Sequence, residues 1–178
     1  AQLEMKLDDE RTDELGQFAY WFNRRSTELA DTLGKLSSAN DELAYQATHD
    51  GLTGLINRRA FDRRLEELTT SSTQEWCRYA VVYVDLDQFK VVNDTCGHAA
   101  GDALLVEVGR ELSNLLRRND VVARLGGDEF AVLLGARDRQ EAAEFAERAR
   151  AAIEQLHFPW EGRVFKVTLS IGVVHLSE

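Results

Sequence analysis

The chain has 178 residues, of which 44% are hydrophobic, enough for one packed domain of ordinary size plus an additional segment. Its 31 acidic residues outnumber 21 basic ones and give a formal net charge of −10, which argues against a nucleic-acid partner bound through a broad basic surface. The two cysteines, Cys77 and Cys96, lack zinc or disulfide spacing and fit a reducing cytosol, and without a signal peptide or a run of about 18 apolar residues the chain is expected to be soluble.

Residues 1 to about 47 are predicted to form one long helix, because the segment lacks proline and is rich in helix-forming residues. Its apolar residues recur at heptad-like spacing, with Asn40 on the same seam; they are Leu15, Phe18, Phe22, Leu29, Leu33, Leu36, Leu43 and Ala47. The step from Phe22 to Leu29 is a stutter that would locally unwind a coiled coil. We therefore predict a parallel homodimer through this helix; a single amphipathic helix lying on its own domain is the alternative.

The long helix is expected to end near residues 48–51, and a second helix is predicted over residues 57–68. Asp50 is predicted to cap the second helix, and Gly51 to permit the sharp turn before it. We assign this stretch to capping and packing rather than to chemistry. A polar loop is expected at residues 69–75.

The nearly all-apolar run at residues 79–84 predicts a strand that is buried on both faces and ends in the acidic sequence 85–87, Asp-Leu-Asp. A helix is predicted to open after Gln88, and its unpaired N–H groups would suit a triphosphate. A further helix is predicted from Ala103 to Leu116, since its apolar residues form the stripe of a helix packed on a sheet.

Residues 124–130, Arg-Leu-Gly-Gly-Asp-Glu-Phe, lie between two apolar runs and predict a hairpin with a glycine turn. The paired glycines supply positive φ angles and leave room for a ligand to approach the backbone. Adjacent Asp128 and Glu129 repel each other unless a cation lies between them, and hard divalent ions take such oxygen ligands. If the strand ending at Asp85 pairs beside the hairpin, the carboxylates share a small space that Mg²⁺ would neutralise; a solvated acidic turn is the alternative.

The last part of the chain is predicted to contain one helix and the final strand of the sheet. Residues 138–156 form the helix, with apolar positions that include Ala143, Phe145, Ala149, Ile153 and Leu156. Pro159 and Gly162 then indicate a loop. Residues 164–176 alternate partly and are expected to end the sheet.

Three of these stretches, residues 50–58, 85–90 and 124–130, occur in the order and form that resemble the GGDEF family of diguanylate cyclases. The resemblance extends from residue 46 to about 176. It implies an α/β (α+β) fold whose mostly antiparallel central sheet is similar to that of adenylyl cyclases and the polymerase palm. The implied reaction condenses two GTP molecules into cyclic di-GMP and releases two pyrophosphates.

The resemblance also implies roles for individual residues. Asp85, the Leu86 carbonyl, Asp128 and Glu129 would hold two Mg²⁺ or Mn²⁺ ions, and Asp128 or Glu129 would help to deprotonate the attacking 3′-hydroxyl group. The implied substrate contacts are Phe89 and Lys90 beside the phosphates, Asn93 and Asp102 at the guanine, and Gly127 and His98 in the same site, His98 as a turn or packing residue rather than a base.

Asp102 would favour GTP over ATP, because a carboxylate acceptor matches the two donors on the guanine edge. As an alternative, Asp102 would cap the helix that begins at Ala103. Arg117 and Asp120, an R-x-x-D pair five residues before the glycines, resemble the inhibitory product site of the family, and Arg124 resembles a further contact there. Product inhibition is therefore predicted; a basic helix end stabilised by the helix dipole is the alternative.

Residues 13–25 resemble the second helix of a HAMP module, a unit that passes signals from a transmembrane sensor. We therefore expect residues 1–47 to be a HAMP-like helix with a signalling coiled coil, and residues 48–178 to be the GGDEF domain. The chain would be the cytoplasmic part of an inner-membrane receptor, attached to the membrane only through an N-terminal segment missing from this sequence. The family usually continues with another helix that brings Lys or Arg to the phosphates, so the GGDEF domain is expected to be C-terminally truncated.

Two other functions remain open from the sequence. The chain would be a catalytically idle GGDEF sensor of GTP or cyclic di-GMP that regulates an attached phosphodiesterase (EAL) domain, or a purely structural dimerisation fragment. The intact acidic pair and Asp85 argue against the idle sensor.

Overall fold

The computed structural model describes residues 14–70, 78–136 and 138–176. Contacts divide the chain into two compact units, and the boundary falls between Tyr45 and Gln46. In chain order the elements are α1 (Glu14–Gln46), β1 (Ile56–Asn57), α2 (Arg58–Thr70), β2 (Tyr79–Leu86), α3 (Phe89–Cys96), α4 (His98–Asn114), β3 (Val121–Gly126), β4 (Glu129–Gly135), α5 (Arg139–Glu154), β5 (His157–Trp160), β6 (Arg163–Lys166) and β7 (Leu169–Leu176).

The first unit consists, over its described residues, of the 33-residue helix α1. This confirms the predicted long helix from Glu14 onward, whereas residues 1–13 lie outside the described part. The large apolar side chains of α1 are exposed in the single chain, among them Leu15, Phe18, Trp21, Leu29, Leu33, Leu36 and Leu43. An apolar row of this length left in water is typical of a surface that packs against another chain. None of the helices in the described part of the chain combines the length and hydropathy needed for a membrane span.

The second unit is built on a five-stranded sheet with the order β1-β3-β4-β2-β7. The β1–β3 pair is parallel, and the β3–β4, β4–β2 and β2–β7 pairs are antiparallel. The mostly antiparallel sheet flanked by helices confirms the predicted fold class. A separate two-stranded ribbon, β5–β6, pairs Pro159 with Val164.

The sheet separates two hydrophobic clusters. The larger cluster joins alternate residues of β2 and β4, such as Val82 and Val132, to buried residues of α3, α4 and α5. On the opposite face, Phe61 of α2 packs with Val81 and Leu133. Toward the C-terminal end of β2 this second face is open, because Tyr83 is 46% exposed and Asp85 is also exposed. The expectation that this strand is buried on both faces is therefore wrong for Tyr83 and Asp85.

Several predicted boundaries and caps are wrong. Asp50 does not cap α2; its carboxylate accepts hydrogen bonds from Thr53, and the Asn57 Oδ1 atom caps α2 through the Ala60 N–H group at 3.0 Å. The positive φ in that turn belongs to Gly54 (70°) rather than Gly51.

The helix predicted from Ala103 begins five residues earlier, at His98, so Asp102 lies inside α4 and is not its cap. On α5, Asp138 caps the helix by accepting from the Glu141 N–H group. The stretch interpreted as a loop around Pro159 forms the β5–β6 ribbon.

Candidate active site

The β2–β4 register places Asp85 directly opposite Glu129 at the end of the sheet. The hairpin between β3 and β4 carries a bulge between Arg124 and Gly126, and its two glycines adopt φ angles of 138° and 56°. The Leu86 N–H group donates to the Asp128 carbonyl oxygen at 3.3 Å, which ties the turn to the end of β2. The predicted proximity of Asp85 to the acidic turn is therefore present.

Carboxylate crowding is visible in the protonation behaviour of this corner. Partial burial and the neighbouring charges of Asp128, Glu129 and Asp87 raise the pKa of Asp85 above its ordinary value. Asp87, only two residues on, behaves in the opposite way. Hydrogen bonds of 2.7 Å from the Ser170 and Thr168 hydroxyl groups lower the pKa of Asp87, so its carboxylate clamps β7 to the end of β2.

An open cleft of about 410 Å³ lies beside this corner on the α2 side of the sheet. Its lining residues are Arg58, Tyr83, Val84, Asp85, Leu125, Glu129, Phe130, Ser170, Ile171 and Gly172. Arg58 donates from Nη2 to the Glu129 carboxylate at 3.2 Å and from Nε to the Leu125 carbonyl oxygen at 3.1 Å. Arg58 is a cleft residue that the sequence did not indicate. It lies in the stretch 50–58, which resembles the family but which we assign from the sequence to capping and packing.

The donor set of this corner suits a hard divalent cation, since it offers carboxylate oxygens from two neighbouring chain segments. Within the described residues, no three His, Cys, Asp or Glu side chains already converge as a ligand cluster. Glu129 is instead engaged by Arg58, and the repulsion around Asp85 is unrelieved. The residues thus fit a cation chemically, while the carboxylates are not drawn together in this conformation.

A second group of predicted site residues lies where α3 packs on α4. The Asn93 Oδ1 atom is buried there and has no hydrogen-bond partner among the described residues. A Cβ atom added to Gly101 would lie 2.0 Å from that oxygen and 3.0 Å from the Phe89 ring. The structure therefore brings Phe89, Asn93 and Gly101 together, next to Asp102 in the chain. An unpaired buried amide oxygen costs about 1–3 kcal/mol. Because such groups are rare in folded proteins, this oxygen is a candidate for contact with a ligand.

Lys90, His98 and Asp102 are exposed on the same two helices. Gly97, with φ 82°, forms the break between α3 and α4. These three side chains are free to turn toward a ligand, and their substrate roles stay predictions.

Gly101→Ala should lower stability and weaken binding of the GTP that the sequence resemblance leads us to expect. The added methyl group forces the Asn93 side chain out of its place, and overpacking of this kind costs about 1–3 kcal/mol. The measurements are the KM for GTP and the thermal midpoint. Gly34→Ala, in the exposed part of α1 with no atom within 4 Å of the added Cβ, is the matched control and should not be destabilising. Equal behaviour of the two variants would contradict the packing argument.

The three residues predicted for the inhibitory product site have different surroundings. Asp120 closes the turn after α4 by accepting from the Arg117 N–H group at 2.8 Å and the Gly135 N–H group at 2.9 Å. The exposed Arg117 guanidinium pairs with Glu141 at 2.8 Å. Arg124 is only 13% exposed and binds Asp50 and the Gly127 carbonyl oxygen. The structure thus gives Arg124 partners of its own; product binding by these residues stays a prediction.

A mostly antiparallel sheet, an acidic hairpin paired with an acidic strand end, and a buried amide between two helices are the features that the resemblance to nucleotide cyclases leads us to expect. The profile described as "Diguanylate cyclase, GGDEF domain" matches residues 47–178. The chain belongs to this family.

Among curated relatives, the chain is 47% identical over 139 residues to the Escherichia coli (strain K12) protein "Probable diguanylate cyclase DgcE", covering 77% of this chain and 12% of that protein. It is 38% identical over 166 residues to the Pseudomonas aeruginosa protein "Diguanylate cyclase TpbB", covering 93% of this chain and 38% of that one. The chain therefore spans less than half the length of these relatives. A crystal structure of the coiled coil and GGDEF domain of DgcB from Caulobacter crescentus, in complex with c-di-GMP, matches with a TM-score of 0.74 and 25% identity over 85% of this chain and 81% of that one.

Proposed function

We propose that this chain catalyses the condensation of two GTP molecules into cyclic di-GMP with release of two pyrophosphates. The observation that carries the proposal is the pairing of Asp85 with Glu129 at the mouth of an open cleft, in a chain of the GGDEF family. Burial and the neighbouring carboxylates raise the pKa of Asp85, and carboxyl groups perturbed in this way cluster at functional sites.

Asp85, the Leu86 carbonyl, Asp128 and Glu129 would hold two Mg²⁺ or Mn²⁺ ions, which when bound supply positive charge for the triphosphate and the departing pyrophosphate. Asp128 or Glu129 would accept the proton of the 3′-hydroxyl group. Asn93 and Asp102 would bind the guanine, and Phe89 and Lys90 would lie beside the phosphates. Gly127, without a side chain at the turn, leaves the backbone open to the substrate.

Each domain would bind one GTP, so two domains must face each other for the in-line attack on each α-phosphate. The exposed apolar row of α1 supports a homodimer through this helix, which would raise the effective concentration of the second half-site. The same proposal includes a HAMP-like origin of this helix, a domain boundary at residues 47 and 48, and a cytoplasmic location beside an inner membrane. The sequence resemblance alone supports these three points.

Arg117 and Asp120, with Arg124, would bind cyclic di-GMP and inhibit the enzyme. Support comes from the exposure of Arg117 and from a turn that Asp120 already holds in shape. Bidentate Arg contacts suit both guanine and phosphate groups.

The test is incubation of the protein with GTP and Mg²⁺, with chromatographic detection of cyclic di-GMP and pyrophosphate. Product from the parent, and a loss on the order of 100-fold or more in Asp128→Ala, is the expected result. GTP or cyclic di-GMP bound without product would instead favour the idle sensor of an attached phosphodiesterase. Neither binding nor product would favour a structural fragment.

A further inference from the structure

Arg58 joins three parts of the candidate active site. As the first residue of α2, it donates to the Leu125 carbonyl oxygen before the turn and to the Glu129 carboxylate after it, at 3.1 and 3.2 Å. These partners are 67 and 71 residues away in the sequence. One guanidinium group therefore bridges both strands at the mouth of the β3–β4 hairpin.

The backbone around Arg58 is held by a dense set of hydrogen bonds. Asn57 pairs with Arg124 in the parallel β1–β3 ladder, and its N–H group donates to the Thr48 carbonyl oxygen at 2.9 Å. Its side-chain amide donates to the carbonyl oxygen of His49 at 3.3 Å, while its Oδ1 atom caps α2. The backbone that carries Arg58 is thus fixed by the folded domain.

Charge around the acidic corner is unevenly compensated. Among the described residues, Asp85, Asp128 and Glu129 make one ion pair between them, that of Glu129 with Arg58. The nearby Arg124 is committed to Asp50 and to the Gly127 carbonyl oxygen. Arg58 therefore pairs with Glu129 alone among the three carboxylates, and Glu129 is one of the ligands that the proposed cation site needs.

We propose that Arg58 is a positioning residue that holds Glu129 and competes with the divalent cation for it. With the cation absent, the guanidinium holds the Glu129 carboxylate beside the cleft that both residues line. Cation binding requires Glu129 to leave or share this contact, so Arg58 sets the cation concentration at which the site fills. The proposal rests on the proposed function, because it presupposes that Glu129 binds a divalent cation.

The size of the effect follows from the exposure of the pair. The two side chains are 57% and 54% exposed, and ion pairs of this kind contribute up to about 1 kcal/mol. At about 1.4 kcal/mol per factor of ten, removal of Arg58 should tighten cation binding by up to about fivefold. The long-range repulsion between a guanidinium and a divalent ion acts in the same direction.

The test measures Mn²⁺ binding to the nucleotide-free protein by electron paramagnetic resonance, in the parent, Arg58→Gln, Arg58→Lys and Arg59→Gln. We expect tighter Mn²⁺ binding in Arg58→Gln and near-parental binding in Arg58→Lys, which keeps the charge. Arg59→Gln removes the same charge from the next, exposed residue of α2 and should leave Mn²⁺ affinity almost unchanged. The thermal midpoint of each variant is also recorded. Loss of the hydrogen bond to the Leu125 carbonyl oxygen would lower the midpoint without tightening Mn²⁺ binding, so the two effects are distinguishable.

Unchanged or weaker Mn²⁺ binding in Arg58→Gln, with the parent binding normally, would overturn the role of Arg58 and leave the proposed cyclase intact. Equal tightening in Arg58→Gln and Arg59→Gln would also overturn it, since the effect would then be one of general charge. If the parent itself binds no Mn²⁺ and Asp85→Ala is identical to it, the cation site fails, and the role of Arg58 fails with it.

Discussion

Asp85→Asn should lower cyclic di-GMP synthesis by about 100-fold or more while leaving the protein as stable as the parent, or more stable. The carboxylate lies opposite Glu129 and would be a cation ligand, so its loss removes a charge that the reaction needs. The same charge is unfavourable in the cation-free fold, because burial and three neighbouring carboxylates raise the pKa of Asp85. Function and stability should therefore respond in opposite directions.

The pH dependence gives this prediction a sign. A carboxyl group whose pKa is raised on folding binds protons more tightly in the folded state, so its contribution to stability is full below the ordinary value of 3.8 and is lost as the pH rises through the raised pKa. The parent should therefore lose thermal stability relative to Asp85→Asn as the pH rises above about 4. Cation-free protein is used, so that metal binding does not mask the repulsion.

Asp87→Asn is the matched control. Its carboxylate accepts from the Thr168 and Ser170 hydroxyl groups, and these bonds lower its pKa. The contribution of Asp87 to stability is therefore present above the ordinary pKa and is lost as the pH falls through the lowered one, so Asp87→Asn should be destabilising at neutral pH. Equal destabilisation by both substitutions would contradict the proposed crowding at Asp85.

The acidic corner could be predicted from the sequence because its signals are local. A nearly continuous apolar run ending in an aspartate predicts a central strand, and two glycines between apolar runs predict the hairpin. Antiparallel pairing of neighbouring strands then brings Asp85 to the turn, as the register shows. The strand and the hairpin follow from local patterns, whereas their pairing had to be assumed.

The errors arose where tertiary contacts override local signals. Pro159 predicts a loop, but it lies in a two-stranded ribbon, where a missing N–H group is tolerated at an open edge. Gly101 weakens the helix signal, yet it lies inside α4, which begins at His98; the close approach of the Asn93 side chain accounts for a glycine at this position. The contacts of Arg58 with Glu129 and of Arg124 with Asp50 join residues 71 and 74 positions apart, and no sequence pattern indicates such pairs.

Arg124→Ala should lower the free energy of unfolding by about 2–3 kcal/mol and reduce cyclase activity with it. Arg124 is 13% exposed and Asp50 23%, so removal of the guanidinium leaves a poorly solvated carboxylate without its partner. The Gly127 carbonyl oxygen also loses the donors at 3.0 and 2.8 Å that hold the glycine turn. The turn that presents Asp128 and Glu129 would then be loosened.

The loss should depend on pH. Burial raises the pKa of Asp50, but hydrogen bonds from Thr53 and Arg124 outweigh it and bring the pKa below the ordinary value of 3.8. A lowered pKa contributes stability above that value, and this stability is lost as the pH falls through the folded-state pKa. The difference between parent and Arg124→Ala should therefore be largest near neutral pH and shrink in acid. Urea unfolding at pH 7 and at about pH 3.5 measures it.

Arg117→Ala separates this structural role from product inhibition. Its guanidinium is 64% exposed and pairs with Glu141 at the surface, where solvent screens the pair, so the substitution should leave stability nearly unchanged while relieving inhibition by cyclic di-GMP. A double-mutant cycle of Arg124→Ala with Asp50→Ala should show a coupling of about 1–3 kcal/mol, because each residue is the other's partner. If Arg124→Ala instead matched Arg117→Ala, with weakened inhibition and unchanged stability, Arg124 would act mainly in product binding rather than in holding the glycine turn.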